Sequence, residues 1–440
     1  MTVNVFGAGL AGCEAAYQLA KRGVKVKLYD IKPHKKTPAH SSDLFAELVC
    51  SNSLKAKRVE SAAGLLKEEM RQLDSLLVKC ADECAVPAGG ALAVDREKFS
   101  TLVTDFIKNH ENIEFISEEV TVIPEEGISV VATGPLTSDA LSKHISERFG
   151  EHLSFFDAAA PIVSADSVDM EHAFFESRYG KGDGDDYLNC PMNKEEYEIF
   201  YDALVNAERA PVHESDVRDP KVYEGCMPIE VLAQRGVDTI RFGPMKPVGL
   251  RDPKTGHRPW AVLQLRKETA SGEMYNLVGF QTNLKFPEQK RVFGLIPALK
   301  NAEYHRYGVM HRNTFIDSPR LLCADFSMKT NRNIFFAGQI TGVEGYMESA
   351  SSGLMAGINA YLKTLDKETL VLPEFTMIGS LSRYISDENV VDFQPMGANF
   401  GVLPSLVDRP RDKALRGAAY AQRALDSLNE YLKDKDLHMG

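Results

Sequence analysis

VNVFGAGLAGCEAAYQLAKRG, residues 3–23, joins a short apolar run, a glycine-rich turn and a pattern with the period of a helix. We expect a strand over residues 3–6 and a helix over residues 11–21, with Gly23 as its C-cap. The alternating run over residues 24–29 predicts a second strand. Strand, turn, helix and strand form a βαβ unit, so the sequence indicates an α/β protein built on a parallel sheet.

The turn has the pattern G-x-G-x-x-G, which binds dinucleotides when it opens the helix of a βαβ unit. It consists of Gly7, Ala8, Gly9, Leu10, Ala11 and Gly12. The first glycine permits the tight turn, the second lets a pyrophosphate reach the backbone, and the third lets helix and strand pack closely. Asp30 follows Gly7 by 23 residues, where a carboxylate can bind a ribose hydroxyl. We predict a dinucleotide site; the alternative is a glycine-rich turn without a ligand.

Two later segments favour FAD over NAD as that dinucleotide. VVATG at residues 130–134 resembles the middle element of two-dinucleotide-fold flavoproteins, and FFAGQ at residues 335–339 resembles their second FAD contact. In those proteins, a strand that ends in Ala-Gly brings a helix N-terminus toward the flavin. The residues predicted to bind FAD here are Gly338, Gln339, Gly342, Gly345, Ser351 and Gly353. Three elements in the right order make FAD the expected cofactor.

The alternation of strand, turn and helix is interrupted once along the chain, over residues of roughly 160–312, which carry much of the proline, glycine and aromatic content. The expected fold class is therefore α/β: a Rossmann-like two-dinucleotide-binding FAD domain with an inserted α+β domain. Residues 1–160 would form the first part of the FAD-binding domain, and residues 161–312 the inserted domain on the substrate side. Residues 313–440 would form the second part, with C-terminal helices.

Three further segments carry local predictions. Residues 61–84 place their apolar side chains on one face, which predicts a single amphipathic helix and makes Cys80 and Cys84 core thiols. Residues 31–60 predict a long ordered loop with a short helix. The Glu- and Lys-rich tail from Arg411 predicts a solvated C-terminal helix.

The composition excludes several classes of protein. With 44% hydrophobic and 26% charged residues among 440, the chain is globular, and no run of about 18 uncharged apolar residues could span a membrane. The N-terminus lacks the regions of a signal peptide, so we expect a cytoplasmic protein. Seven cysteines, odd in number and mostly far apart, predict reduced thiols. The close pair Cys80 and Cys84 lacks the further ligands that zinc needs, so we expect no metal.

The formal net charge of -11 hides a basic third of the chain. Residues 235–320 contain 15 Lys and Arg against 7 Asp and Glu. Arg306, His311 and Arg312 lie in its densest cluster, which suits an anion such as a phosphate. The lysines of residues 32–36 are open to two interpretations, a solvated loop or a phosphate contact.

Several long strings of the sequence match one family. They are TPAH (37–40), FAELVCSNSL (45–54), PAGG (87–90) with VDR (94–96), EGCMPIE (224–230), residues 338–353 and FQPMGANF (393–400). Over nearly the whole chain they resemble the bacterial folate- and FAD-dependent tRNA uracil-5 methyltransferases, the TrmFO family. The FAD domain also resembles the longer GidA-type wobble-uridine flavoproteins, whose additional helical domain binds a GTPase partner. We expect that domain to be absent here, and no obligate protein partner.

The resemblance implies methylation of C5 of a tRNA uridine, the T-loop uridine at position 54. The carbon would come from 5,10-methylenetetrahydrofolate, with reduced FAD as methylene carrier and reductant and NADH or NADPH as electron source. We expect the tRNA to dock on the basic third of the chain, at Arg306, His311 and Arg312. Three alternatives stay open: the same chemistry on a ribosomal RNA uridine, a flavin-binding component of a wobble-uridine modification complex, and a plain NAD(P)H-dependent oxidoreductase.

Two cysteines suit the chemistry at the uracil ring. Adding a thiolate to C6 turns C5 into an enolate carbon that can attack an electrophilic methylene, and the C5 proton must then be removed. The resemblance makes Cys226, in the turn GCMP at residues 225–228, the nucleophile at C6. It makes Cys50 the candidate for proton transfer at C5. The order in which the two cysteines act stays open.

Overall fold

The structure is a computed structural model that describes residues 1–37, 39–150, 153–180, 186–210, 227–269 and 271–435. Its strands are β1 (Thr2–Phe6), β2 (Lys25–Asp30), β3 (Ser53–Ala56), β4 (Ala85–Val86), β5 (Ala91–Val94), β6 (Ile113–Ser117), β7 (Ile128–Val131), β8 (Leu153–Ala158), β9 (Ile162–Ser164), β10 (Phe174–Phe175), β11 (Leu188–Met192), β12 (Ala261–Lys267), β13 (Met274–Leu277), β14 (Tyr304–Arg306), β15 (Met310–Phe315) and β16 (Ile334–Phe336). Its α-helices are α1 (Leu10–Ala20), α2 (Ala62–Gln72), α3 (Leu76–Glu83), α4 (Arg96–Lys108), α5 (Asp139–Phe149), α6 (Lys194–Val205), α7 (Ile229–Ala233), α8 (Thr239–Phe242), α9 (Phe286–Phe293), α10 (Ser318–Leu321), α11 (Tyr346–Thr364), α12 (Met377–Tyr384) and α13 (Lys413–Asp434).

The glycine-rich turn connects β1 to α1 at the centre of a parallel sheet with the order β16-β7-β1-β2-β6. Val3 and Val5 of β1 are fully buried, as expected for a central strand covered on both faces. Because β16 pairs with β7, the segment that begins at Ile334 lies next to the N-terminal βαβ unit. The sheet therefore brings together two of the three segments from which FAD binding was predicted, with β7 carrying the third.

Helices α1 and α11 pack against each other at a very short distance. A Cβ atom added at Gly353 would lie 2.1 Å from the backbone oxygen of Ala11, and one added at Gly357 would lie 2.8 Å from the same atom of Ala15. Both glycines are needed because any side chain would push the two helices apart. The crossing holds the start of α11 close to the glycine-rich turn.

A second sheet has the order β10-β11-β12-β13-β9-β14, and neighbouring strands in it are antiparallel. A hydrophobic core formed by residues between Val163 and Ala302 lies beneath it. The larger core draws on residues 3–145 and 315–428 instead. Strands β8 and β15 pair with each other where the chain enters and leaves the second sheet.

Two local predictions were wrong. Residues 61–84 form two helices because Asp74 adopts a left-handed conformation (φ 56°), after which the hydroxyl of Ser75 accepts a hydrogen bond from the Val78 backbone amide and caps α3. The described residues between 31 and 60 contain strand β3 in place of the predicted short helix. The C-terminal helix forms, but one of its faces, around Tyr420 and Leu428, is buried.

Cys80 and Cys84 are buried, as predicted. Within the described ranges no helix combines the length and the apolar composition needed to cross a bilayer. The same ranges hold no group of three or more His, Cys, Asp or Glu side chains arranged to bind a metal ion.

Candidate active site

A deep cleft opens at the carboxyl ends of the parallel strands, where ligands bind in open α/β sheets. Its empty space is about 1340 Å³, open solvent at the mouth included. One end is lined by residues 7–11 of the glycine-rich turn and by residues 29–32 at the end of β2. Residues 132–138 after β7 form a side wall. The wall also includes Cys50, Asn313, Gly338, Gln339 and Tyr346.

The three glycines of the turn have distinct steric roles. Gly7 has a φ of +101°, and a Cβ atom there would lie 2.4 Å from the Ala132 backbone oxygen. A Cβ at Gly12 would lie 1.7 Å from the Gly7 oxygen, so this glycine lets α1 pack on the turn. A Cβ at Gly9 would meet nothing within 4 Å. Since Gly9 is the N-cap of α1, the open space beside it is where a pyrophosphate would be held by the helix N-terminus, and the turn fits FAD.

Asp30 braces the turn from the end of β2. Its Oδ2 accepts a hydrogen bond from the Ala8 amide (2.7 Å), and its Oδ1 accepts one from the Lys32 amide (2.9 Å). Each carboxylate oxygen keeps a second lone pair, so the side chain can still accept from a ribose hydroxyl.

Lys32 is buried, so it is not part of a solvated loop, and its contact to a phosphate stays a prediction. Its ammonium donates to the Leu44 backbone oxygen (2.8 Å) and lies 3.2 Å from a carboxylate oxygen of Glu47, inside the cleft wall. Burial raises the pKa of Glu47, but hydrogen bonds from Ser41 and the charge of Lys32 outweigh it and leave the pKa below its ordinary value. Lys32 and Glu47 therefore form an ionised pair that holds the loop before Cys50.

The predicted FAD residues of the late segment divide into two groups. Gly338 and Gln339 line the cleft, and the Gln339 amide donates to Glu344 (2.6 Å). The others, Gly342, Gly345, Ser351 and Gly353, lie outside the cleft wall. Gly342 and Gly345 have φ values of +83° and +126°, which the turn before α11 requires. Ser351 donates to the Glu348 backbone oxygen within α11, and Gly353 serves the helix crossing.

Cys50 lies in the cleft wall and is held there by side chains that the sequence analysis missed. The Tyr346 hydroxyl accepts hydrogen bonds from the backbone amides of Cys50 (2.7 Å) and Ser51 (3.2 Å). Arg266 donates to the Asn52 side-chain oxygen (2.8 Å) and to the Ser51 hydroxyl (2.8 Å). These contacts fix the backbone on both sides of the thiol.

The hydroxyl of Tyr346 also forms a hydrogen bond with the side chain of Cys50. Burial raises the pKa of Tyr346 well above its ordinary range, and the charge of Cys50 and a hydrogen bond between the two side chains raise it further. Tyr346 therefore keeps its proton and can donate it to the sulfur of Cys50.

Arg96 and Glu268 form an ion pair beside this loop. The Arg96 Nε lies 3.0 Å from a Glu268 carboxylate oxygen, and its Nη1 donates to the Val49 backbone oxygen (3.3 Å). Arg96 is the last residue of the VDR string, and Tyr346 lies within residues 338–353. The strings that match the family therefore contain both residues. Arg266 lies 214 residues from Asn52, and no local pattern links the two.

Arg306 is not on an exposed basic surface. Its Nε and Nη2 atoms are enclosed and have no hydrogen-bond partner among the described residues. Burial lowers its pKa, as does the charge of Arg96, whereas Glu268, Tyr346 and Cys50 act in the opposite direction. The guanidinium therefore faces the Cys50 end of the site. His311 and Arg312 belong to β15, and their side chains lie outside what the structure describes.

Cys226 lies outside the described residues, but the chain on both sides of residues 211–226 is described. Before them, the Ala210 amide donates to the Asn283 backbone oxygen (2.7 Å), and the Asn283 side chain donates back to the Ala210 oxygen (3.2 Å). After them, the carboxylate of Glu230 accepts from the Thr282 hydroxyl (2.8 Å) and the Asn283 amide (2.7 Å). One short segment, residues 282–283, thus anchors both flanks of the stretch that carries Cys226.

Comparison with known proteins gives consistent similarities. The family model of glucose inhibited division protein A matches residues 2–368. The methylenetetrahydrofolate–tRNA-(uracil-5-)-methyltransferase TrmFO of Acetivibrio thermocellus is 62% identical over 431 residues, 98% of each chain. The protein of the same name from Brevibacillus brevis is 56% identical over 435 residues, 99% of each chain. The solved structure of Aquifex aeolicus GidA has a TM-score of 0.70 at 17% identity and covers 98% of this chain and 73% of its own. This likeness confirms the predicted fold class.

Proposed function

Since this chain belongs to the glucose inhibited division protein A family, and within it to the TrmFO methyltransferases, we propose that it methylates C5 of a uridine in tRNA. The carbon comes from 5,10-methylenetetrahydrofolate, the electrons come from NADH or NADPH, and the target is the T-loop uridine at position 54. The observation that carries this proposal is the cleft itself, which is lined both by the dinucleotide cradle and by the tethered Cys50.

The cleft residues divide the work of binding. The amides around Gly9 would hold the pyrophosphate of FAD, and the carboxylate of Asp30 would accept a hydrogen bond from its ribose. Gly338 and Gln339 close the wall from the second segment. When bound, FAD supplies the two electrons that reduce a transferred methylene to methyl and carries the one-carbon unit.

The two thiols act on the pyrimidine ring. Cys226 adds its sulfur to C6, which pushes electron density onto C5 and the O4 oxygen, and the bond to C6 breaks again after C5 has been methylated. Cys50 takes the proton from C5. Tyr346, which keeps its own proton and bonds to the sulfur of Cys50, stabilises that thiol in its deprotonated form before the transfer.

We also propose that residues 161–312 form the side of the protein that faces the RNA. Cys226 belongs to this part of the sequence, and its second half, residues 235–312, carries the basic excess with 14 Lys and Arg against 6 Asp and Glu. The two flanks of residues 211–226 are bonded to Asn283, and the neighbouring Thr282 amide donates to the Ala159 oxygen (3.3 Å) beside β8. A short path of direct contacts therefore links the Cys226 stretch to the start of the inserted part of the chain.

The test uses the purified, FAD-loaded chain, a tRNA transcript and methylenetetrahydrofolate labelled in its methylene carbon, with NADH and NADPH supplied separately. We expect label in the RNA at the T-loop uridine. Label that arrives only from S-adenosylmethionine would contradict the proposal. A target in ribosomal RNA would appear as label there instead, and a need for a second protein would show that the chain is only a component of a complex.

The roles of the thiols are tested with RNA that carries 5-fluorouridine, because fluorine at C5 cannot leave as a proton does. We expect a covalent RNA adduct with the unaltered protein and none with Cys226→Ala, while the flavin spectrum stays the same. Cys50→Ala should stop methylation, and Cys323→Ala, a thiol outside the cleft, is the matched control. An adduct that survives in Cys226→Ala and disappears in Cys50→Ala would reverse the two assignments.

A further inference from the structure

Three aromatic rings form a continuous parallel stack at one edge of the second sheet. The ring centroids of Tyr304 and Tyr307 are 4.8 Å apart with an interplanar angle of 7°. Those of Tyr307 and Phe286 are 4.6 Å apart with an angle of 13°. Most aromatic contacts among the described residues are tilted or edge-on, so a run of three parallel rings is a specific arrangement of α9 against the chain after β14.

The outer end of the stack is open. Phe286, the first residue of α9, is 49% exposed. Among the described residues, Tyr307 is the one ring that stacks on Phe286, and no cation lies over its other face. A single exposed phenylalanine would need no explanation, but an exposed ring that ends an ordered stack offers a flat apolar face of fixed orientation.

The rings of the stack belong to segments that are close in sequence to residues beside both proposed catalytic thiols. The buried side chain of Gln289, one turn after Phe286, accepts from the Gly308 amide (2.8 Å) and donates to the Gly308 oxygen (2.8 Å). Arg306, which faces Cys50, lies between the two tyrosines in sequence. Asn283, which anchors both flanks of the Cys226 stretch, lies three residues before Phe286.

The charges around the ring are largely neutralised. Lys285 pairs with Glu208 (2.6 Å), and Arg291 pairs with Glu288 (2.7 Å). The exposed face of the ring is apolar, and exposed Lys290, four residues further along α9, leaves a positive charge beside it. The ring face itself suits a planar, uncharged base better than a phosphate.

We propose that the exposed face of Phe286 is a stacking platform for an unpaired nucleobase of the RNA substrate. The proposal rests on the proposed function. A base whose C5 and C6 atoms react must leave its stack, so the bases around it lose their neighbours. Aromatic side chains replace those neighbours, and each stacked base contributes about 1–3 kcal/mol whatever its identity. Phe286 lies three residues after Asn283, which anchors the Cys226 stretch, and its stacking partner Tyr307 directly follows Arg306, which faces Cys50.

The test measures RNA affinity of the FAD-loaded protein by fluorescence anisotropy at several salt concentrations. Phe286→Ala should weaken binding by about 5- to 150-fold, the equivalent of about 1–3 kcal/mol. Phe286→Leu, which keeps an apolar side chain but no aromatic face, should weaken it similarly, and Phe286→Trp should not. The matched control is Phe242→Ala, because Phe242 is 65% exposed but belongs to no ring stack in the described chain. The salt dependence should stay the same in all variants, since stacking releases no counterions.

Unchanged affinity in Phe286→Ala, or an equal loss in Phe242→Ala, would overturn the proposal. So would a salt slope lowered by about one, which would mean that the site binds a phosphate. Scanning the RNA with single abasic nucleotides should find one position at which Phe286→Ala causes no further loss, and the absence of any such position would also overturn it. If the folate concentration dependence changes while RNA affinity does not, the platform binds the pterin instead and the proposal is wrong. Failure of the proposed function is distinguished by a wild-type protein that does not methylate RNA at all.

Discussion

Gly9→Val should remove FAD without harming the fold. Gly9 has an ordinary backbone conformation (φ -77°), and a Cβ atom there meets nothing within 4 Å, so the side chain would project into the open cleft. The cost to the flavin-free protein is that of an unfavourable N-cap, about 1 kcal/mol or less. The same side chain would occupy the space where the pyrophosphate approaches the helix N-terminus.

Gly12→Ala is the matched contrast, because its Cβ would lie 1.7 Å from the Gly7 oxygen. Both of these atoms are fixed by backbone, so no rotamer relieves the clash, and we expect a loss of about 3 kcal/mol in the flavin-free protein. Urea unfolding of the flavin-free forms measures both costs. FAD at a hundredfold excess over its Kd should then stabilise the wild type by about 2.7 kcal/mol and leave Gly9→Val unchanged.

The reasoning would be refuted if Gly9→Val were purified yellow, with a full equivalent of FAD and the same stabilisation by added cofactor as the wild type. It would also fail if Gly12→Ala were as stable as the wild type, because the close contact of turn and helix would then not exist. If Gly9→Val lowered the free energy of unfolding as much as Gly12→Ala does, the space at position 9 would be needed by the protein and not by its ligand.

Three other predictions follow from buried polar groups. Arg306→Gln should slow methylation but leave RNA affinity and its salt slope unchanged, because two of its guanidinium nitrogens are enclosed; a slope lowered by about one would place Arg306 at a phosphate after all. Arg266→Gln should lower the free energy of unfolding by about 1.5–3 kcal/mol and reduce activity, since it loses charged hydrogen bonds to Ser51 and Asn52; urea titration and the labelled-folate assay check this. Burial raises the pKa of Glu69 from 4.5 to about 8, so the folded carboxyl holds a proton that the unfolded one releases, and stability should fall as pH rises through this range. Glu69→Gln should flatten that fall between pH 5 and pH 8, and an unchanged slope would assign it to another group.

Much of the fold could be predicted because its signals are local. The turn at Gly7 needs a residue that tolerates positive φ, Gly12 needs the absence of a side chain, and the hydrophobic period of the flanking residues needs a strand and a helix. These constraints act over a few residues and can be read in order along the chain. The break between α2 and α3 was missed because apolar periodicity continues through Asp74, whose left-handed backbone leaves no mark on that pattern.

The candidate site could be predicted only in part, because most of its contacts join residues that are far apart in the chain. The quoted motifs located Cys50, but they did not show that Tyr346 bonds to it from 296 residues away or that Arg266 holds the next two residues. The local density of charge marked Arg306 as a candidate substrate contact, but it did not show that two of its guanidinium nitrogens are enclosed near Arg96.

The sequence by itself determined the βαβ unit, the glycine cradle and the kind of cofactor that fits it, because each depends on the steric limits of neighbouring residues. Only the tertiary structure decided which late glycines line the cleft and which merely let α1 and α11 cross, since both uses require the same residue type. It also decided which charges face solvent. Direction and burial of a side chain are properties of the packed chain, and no local pattern specifies them.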